Sequence, residues 1–151
     1  MGEVVNLTFR KATPEDVHRL FEVRRDSILG LAPDGMTVAQ SVLWASRLSV
    51  DEMLQRFRET EFWVAEVDET IVGWAGIRGD KLSGLYVIPE FANRGIGSGL
   101  LNLSENVLRD SGVKVVRLEA SWNSEDFYIR RGYEPTGPRP QDDTRTFLKS
   151  I

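Results

Sequence analysis

The sequence predicts a mixed α/β fold, and three observations carry that expectation. From Phe62 the helical period gives way to short apolar, β-prone segments that read as strands up to Ile88, with Asp68-Glu69 as a turn. Segments beginning near Thr13, Thr37, Ser49 and Ile96 carry helix start signals, and most continue with apolar residues at helical spacing. From Val113 to Ala120 the chain is β-branched and returns to strand.

Each element has a local reason. Leu7 to Arg10 alternates like a first strand. Thr13-Pro14-Glu15-Asp16 then starts a helix, with Thr13 as N-cap, Pro14 at the first helical position and acids in the first turn. Val17, Leu20, Phe21 and Ile28 give it an apolar stripe. Leu29 to Gly35 reads as a loop around Pro33-Asp34-Gly35. Thr37 to Gln40 and Ser49 to Glu52 match capping boxes, so two short helices are expected. The second carries Val50, Met53, Leu54 and Phe57 at i, i+3, i+4 and i+7. Phe62 to Val67 and Ile71 to Ile77 form a hairpin, and Leu82 to Ile88 is a third strand that Pro89 ends. Gly95 to Gly99 opens a helix buried through Leu100, Leu101, Ser104, Val107 and Leu108 and closed by Gly112. After the strand to Ala120, Asn123 caps a short helix that Gly132 ends, and Thr144 to Ile151 is a weak last strand.

Composition narrows the function. The 151 residues suit one domain over residues 1–151, with 41% apolar and 28% charged residues. Nineteen Lys and Arg face 23 Asp and Glu, a net charge of −4, which argues against non-specific nucleic-acid binding. Apolar runs fall far short of the ~18 residues of a membrane span. The chain has no cysteine and one histidine, His18, which excludes disulfides, thiolate nucleophiles and Cys- or His-rich metal sites. No metal is expected. Met1 to Asn6 lacks the basic and apolar regions of a signal peptide, so a cytoplasmic location is expected.

The informative stretch runs from Leu85 to Tyr133. A strand leads into Ala92-Asn93-Arg94-Gly95-Ile96-Gly97-Ser98-Gly99 and then a helix. Such a junction traps anions, because the first N–H groups of a helix lack internal partners and the helix dipole is positive there. Glycines allow close approach, and Arg94 adds a charge at the rim. The expected ligand is a phosphate or pyrophosphate. A P-loop would need a Lys after the glycines, and none follows. A dinucleotide fingerprint lacks its third glycine, since Leu100 stands there, and most of the chain precedes the loop. Coenzyme A is the third possibility, and a tight helix start with no ligand is the fourth.

At this point the sequence resembles the GNAT superfamily of N-acetyltransferases. The resemblance rests on Leu85-Tyr86-Val87, on Ala92 to Gly97, on Asn123, and on Phe127-Tyr128-Ile129-Arg130-Arg131-Gly132-Tyr133, in the superfamily's order and spacing. It implies an acyl-CoA N-acyltransferase fold: a central mixed, mostly antiparallel sheet, splayed near Val87, with helices on both faces. It implies acetyl-CoA as co-substrate. Pantetheine amides would pair with the backbone of Leu85, Tyr86 and Val87, as an added strand would. The pyrophosphate would rest on the loop from Ala92 through Asn93, Arg94, Gly95, Ile96, Gly97 and Ser98. Asn123 would bond the pantetheine arm. The first loop position is usually Gln or Arg in that superfamily, and here it is Ala92, so a side-chain contact near the phosphates is lost.

Tyr128 is the candidate catalytic acid by the same resemblance. A phenol with a reference pKa of ~10 is protonated at neutral pH and can protonate a departing thiolate. The general base is not identified; Glu66, Asp80, Glu90 and Glu119 are candidates, and His18 is read as a surface residue. The acceptor is a small-molecule or peptide amine, with no nucleic acid or membrane partner, and a homodimer is plausible by resemblance. Acceptor specificity is expected in Leu29 to Leu48 and Glu134 to Asp143, with Phe21 and Trp44 as lining candidates and Asp34, Asp142 and Asp143 as attractors of a cationic amine. The alternative function is a non-catalytic CoA-binding module of the same fold; a third reading is a nicotinamide-dependent oxidoreductase.

Overall fold

The computed structural model describes residues 6–30, 37–121, 123–138 and 144–151. Strand β1 (Leu7–Lys11) is followed by a 3-10 turn at Pro14–Asp16 and helix α1 (Val17–Gly30). Helices α2 (Val38–Ala45) and α3 (Val50–Arg56) come next. Strands β2 (Glu61–Val67), β3 (Thr70–Arg78) and β4 (Lys81–Val87) follow as consecutive antiparallel neighbours. Helix α4 (Ile96–Asp110), strand β5 (Val115–Ser121), helix α5 (Glu125–Ile129), and strands β6 (Glu134–Pro135) and β7 (Thr144–Ser150) complete the chain.

Among the described residues seven strands form one sheet in the order β1-β2-β3-β4-β5-β7-β6. Only β4 and β5 pair in parallel. Alternation along β3 assigns the helices to faces. The indole N–H of Trp74 donates to the Leu20 carbonyl at 2.9 Å, which places α1 on the Trp74 face. A Cβ built on Gly73 would lie 3.2 Å from Leu100 Cδ1, which places α4 on the opposite face. Helix α4 buries Ile96, Leu100, Leu101 and Leu108 there, each worth about 1.5–3 kcal/mol of transfer from water. Both faces are therefore covered at β3, which is buried without a break from Ile71 to Ile77.

Local signals act as expected in most places. Thr37 and Gln40 exchange backbone and side-chain hydrogen bonds at 2.8 and 3.1 Å, and Ser49 and Glu52 do so at 3.3 and 3.1 Å. The β2–β3 turn puts Asp68 and Glu69 at φ 50° and 67°, the geometry that matches the twist of a two-residue hairpin. Gly112 closes α4 at φ 91°, with the Val113 N–H donating to the Leu108 carbonyl at 3.0 Å.

Three expectations are corrected, and one strand is added. Leu29 and Gly30 are the last residues of α1, not the start of a loop, because Gly30 packs against Pro89 and extends the helix over the end of β4. Leu54 is 43% exposed, so only Met53 of the α3 stripe is fully buried. The N-cap of α5 is Ser124, not Asn123; a turn with the Ser124 N–H on the Ser121 carbonyl at 2.9 Å puts Asn123 before the helix. A short strand, β6, pairs with β7 through Glu134↔Leu148 and Pro135↔Phe147, and its two residues are too few to carry a period. Among the described residues no helix is long and apolar enough to cross a membrane.

Candidate active site

The sheet opens where β4 and β5 part. They pair only at Lys81↔Arg117 and Leu82↔Leu118. Beyond that, β4 stays with β3 as far as Gly73↔Val87, and β5 stays with β7 as far as Ser121↔Thr144. Each strand is thus held by its antiparallel partner and released by its parallel one. Ser83 to Val87 leave one strand edge open over roughly 16 Å at the usual rise per residue. The Ile88 N–H donates to the Val72 carbonyl at 2.9 Å. Alternation then turns Tyr86 toward β3 and aims the N–H and C=O of Leu85 and Val87 into the opening. Unpaired strand edges are templates for an added extended chain.

The N-terminus of α4 stands beside this opening. A Cβ built on Gly97 would lie 4.0 Å from Val87 Cγ2 and 3.4 Å from the Phe127 ring. The junction turns through two left-handed residues, Asn93 at φ 61° and Gly95 at φ 84°. Gly95 is the N-cap and has no side chain to cap the helix. The first backbone bond runs from the Gly99 N–H to the Gly95 carbonyl at 3.0 Å. The N–H groups of Ile96, Gly97 and Ser98 therefore have no intrahelical partner. Asn93, Arg94 and Gly95 are exposed, Ala92, Gly97 and Ser98 are half-buried, and Ile96 anchors the turn in the core. The Arg94 guanidinium lies 5.3 Å from the Phe91 ring centroid. This concave run of N–H groups at a helix start is an anion-binding geometry.

Helix α5 forms the facing wall. Tyr128 is 7% exposed, with its ring edge-on to Phe127 at 5.1 Å and to Tyr133 at 5.7 Å. Its hydroxyl makes no hydrogen bond among the described residues. Burial pushes its phenol well above the usual tyrosine value, the Tyr86 phenol across the opening adds to the rise, and Arg131 opposes it. Tyr128 on α5 and Tyr86 on β4 thus share one electrostatic environment. Asn123 is exposed just before α5, and its Oδ1 accepts from the Ser121 hydroxyl.

The candidate bases are scattered. Glu66 accepts from Arg10 at 2.8 Å on β2, two strands from β4. Asp80 faces Arg117 at 3.7 Å at the paired end of β4, and Glu119 lies 3.5 Å from Lys81 at that same end. Glu90 is exposed just beyond β4, and His18 is exposed on the first turn of α1. Phe21 packs against the core with Arg25 5.9 Å from its ring, and Trp44 is half-buried on α2. Asp34, Asp142 and Asp143 lie outside the described residues.

Three features escaped sequence reasoning. Arg131 donates from Nε to the Ser98 hydroxyl at 3.0 Å and from Nη1 to the Phe127 carbonyl at 2.8 Å, with its guanidinium 3.8 Å from the Phe127 ring. Buried Glu105 accepts from the Tyr133 hydroxyl at 2.8 Å and from Lys149 Nζ at 3.0 Å, tying α4 to β7. Buried Glu125 pairs with Arg145 at 2.7 Å at the start of α5. The spacing of Asn123, Phe127 and Arg131 at i, i+4 and i+8 was the available signal for the first; the other two join residues 44 and 20 positions apart and left none.

Residues 31–149 match the family described as Acetyltransferase (GNAT) domain. Curated proteins yield no match. Among solved structures, a GCN5-related N-acetyltransferase from Rhodopseudomonas palustris is similar with a TM-score of 0.90 and 24% identity, over 99% of this chain and 98% of that one. PaiA N-acetyltransferase from Thermoplasma acidophilum, solved with coenzyme A, has a TM-score of 0.84 and 22% identity, over 97% and 100%. The yncA protein of Salmonella typhimurium, solved with acetyl-CoA, has a TM-score of 0.74 and 18% identity, over 96% and 94%. These likenesses show the fold. The family match covers most of the chain, and the protein belongs to the GNAT acetyltransferase family.

Proposed function

Starting from that membership, we propose that the protein is an N-acetyltransferase that moves an acetyl group from acetyl-CoA directly to an amine. The observation that carries the reading is the opening between β4 and β5 next to the uncapped start of α4. An open strand edge and a run of unpartnered N–H groups fit a ligand with amides at one end and phosphates at the other.

Leu85 and Val87 would hold the pantetheine amides through their free backbone groups, with Asn123 opposite. The N–H groups from Asn93 to Ser98 would hold the pyrophosphate. Ala92 contributes backbone only. Acetyl-CoA supplies a thioester whose C–S bond breaks as the amine's N–C bond forms, leaving a thiol. Tyr128 supplies the proton for that sulfur from its Oη. Its raised phenol pKa keeps that proton in place across the neutral range. Burial raises the proton affinity of a departing thiolate by the same physics, so donor and acceptor shift together. The neutral amine loses one proton to water as the amide forms, guided by hydrogen bonds to the backbone carbonyls near Val87, and a proton from water restores the Tyr128 phenol. The chain's main contribution is to hold two reactants in line.

The test is calorimetric titration with acetyl-CoA, with NAD and ATP as controls, followed by an amine panel with thiol detection and product mass. One-site binding of acetyl-CoA alone, with amine-dependent thiol release, is expected. Binding without turnover on diamines, polyamines, amino acids and peptides would replace the enzyme by a CoA-binding module. Absence of binding at millimolar concentration would overturn the reading.

A further inference from the structure

We infer that Arg131 is a phosphate ligand of the coenzyme, taking over the cationic contact that Ala92 cannot make. The inference rests on the reading of the site just given. Arg131 follows α5 in sequence, yet its guanidinium lies at the first turn of α4. Phe127 fixes its plane by stacking at 3.8 Å and fixes its direction by accepting Nη1–H at 2.8 Å. Nε and Nη2 both donate to the Ser98 hydroxyl.

The arrangement is electrostatically one-sided. A helix N-terminus already carries partial positive charge, so a cation placed there is repelled unless an anion joins them. Among the described residues no carboxylate pairs with Arg131. Of its five N–H donors, three are engaged, one by the Phe127 carbonyl and two by Ser98. The other two remain. Ser98 uses both oxygen lone pairs as acceptor, which leaves its own O–H to donate. It has no acceptor among the described residues. Two guanidinium N–H groups and the Ser98 hydroxyl thus lack an acceptor at the same helix turn that carries the unpartnered amides of Ile96, Gly97 and Ser98. A phosphate group supplies the charge and the oxygens they lack. The position at Ser98, in the first turn of α4, assigns the pyrophosphate rather than the ribose phosphate.

The experiment is calorimetry of the whole chain with CoA and with 3′-dephospho-CoA, for wild type, Arg131→Gln and Arg131→Lys, across a salt series. Loss of one charge-assisted contact weakens binding about 10- to 100-fold. Arg131→Gln is expected to weaken both ligands by that same factor and to flatten the salt dependence of the dissociation constant. Arg131→Lys is expected to restore part of the affinity and the full salt slope. A penalty seen only with CoA would move Arg131 to the ribose phosphate and overturn the assignment. Unchanged affinity, or weakening with an unchanged salt slope, would reduce Arg131 to a tie between α5 and α4. If Arg131→Gln fails to fold, a salt slope of Arg131→Lys below that of wild type would also overturn it. Failure of the wild type to bind CoA would instead remove the functional reading itself.

Discussion

Replacing Tyr128 with Phe separates stability from chemistry. The Tyr128 ring sits between Phe127 at 5.1 Å and Tyr133 at 5.7 Å, and Phe keeps that ring. The hydroxyl makes no hydrogen bond among the described residues, so its removal breaks no internal bond. A lost hydroxyl with no partner changes stability by no more than about 1 kcal/mol. In a chain of 151 residues that is a Tm change of no more than about 2–4 °C. Loss of a positioned general acid costs about 10²- to 10⁴-fold in kcat. The corresponding barrier change is about 3–5 kcal/mol. Thermal denaturation and steady-state thiol release on the same preparation read both numbers. The KM for acetyl-CoA should stay within about threefold, because the proposed pantetheine and phosphate contacts do not involve the Tyr128 hydroxyl. A kcat within about threefold of wild type would refute the acid role. A Tm loss above about 10 °C would refute the claim that the hydroxyl is unpartnered.

Alkaline pH should unfold the protein through its buried phenols. Burial raises the pKa of Tyr128 and, together with Glu105, that of Tyr133, so the folded state keeps protons that the unfolded chain releases above pH ~10. Stability is then flat below that pH and falls above it by up to about 1.4 kcal/mol per pH unit for each phenol; denaturant titrations at rising pH check this, and Tyr128→Phe should soften the fall. Glu105→Gln leaves Lys149 without its partner and weakens the Tyr133 contact; because Lys149 keeps 25% of its side chain in water, the loss should be about 1–3 kcal/mol, read by a double-mutant cycle with Lys149→Met. Gly97→Val should raise the KM for acetyl-CoA about tenfold or more, since even a Cβ there lies 3.4 Å from Phe127 and a branched side chain displaces the wall of the cradle; an unchanged KM would show that the wall is not a ligand surface. Ala92→Arg should lower that KM severalfold at low salt by restoring a cation at the half-exposed first loop position, and the gain should fade as salt rises.

Much of the fold was legible because its signals are local. The capping boxes at Thr37 and Ser49 act within four residues, and Asp68-Glu69 makes its turn from its own backbone angles. The uncapped start of α4 was legible for the same reason, since Gly95 and the next residues define it locally. The boundary at Leu29-Gly30 misled, because loop-forming residues follow it closely while the packing of Gly30 on Pro89 holds the helix. Asn123 misled because Asn and Ser are equally good caps and only the turn at Ser121 decides between Asn123 and Ser124.

By itself the sequence determined the kinds of most elements, their order, and a glycine-rich helix start without a side-chain cap. These depend on φ preferences, side-chain spacing and caps, all of which act over a few residues. The resemblance placed a splay near Val87, but only the tertiary structure decided its extent, from Ser83 to Val87. Nothing in β4 or β5 encodes their parting; it follows because β3 holds one and β7 the other beyond Leu82 and Leu118. The same holds for Arg131, which reaches Ser98 across 33 positions, and for Glu105, which gathers Tyr133 and Lys149 from 28 and 44 positions away. Such partners are brought together by sheet order and helix packing, and a charged residue alone on its own segment carries no mark of the one it will meet.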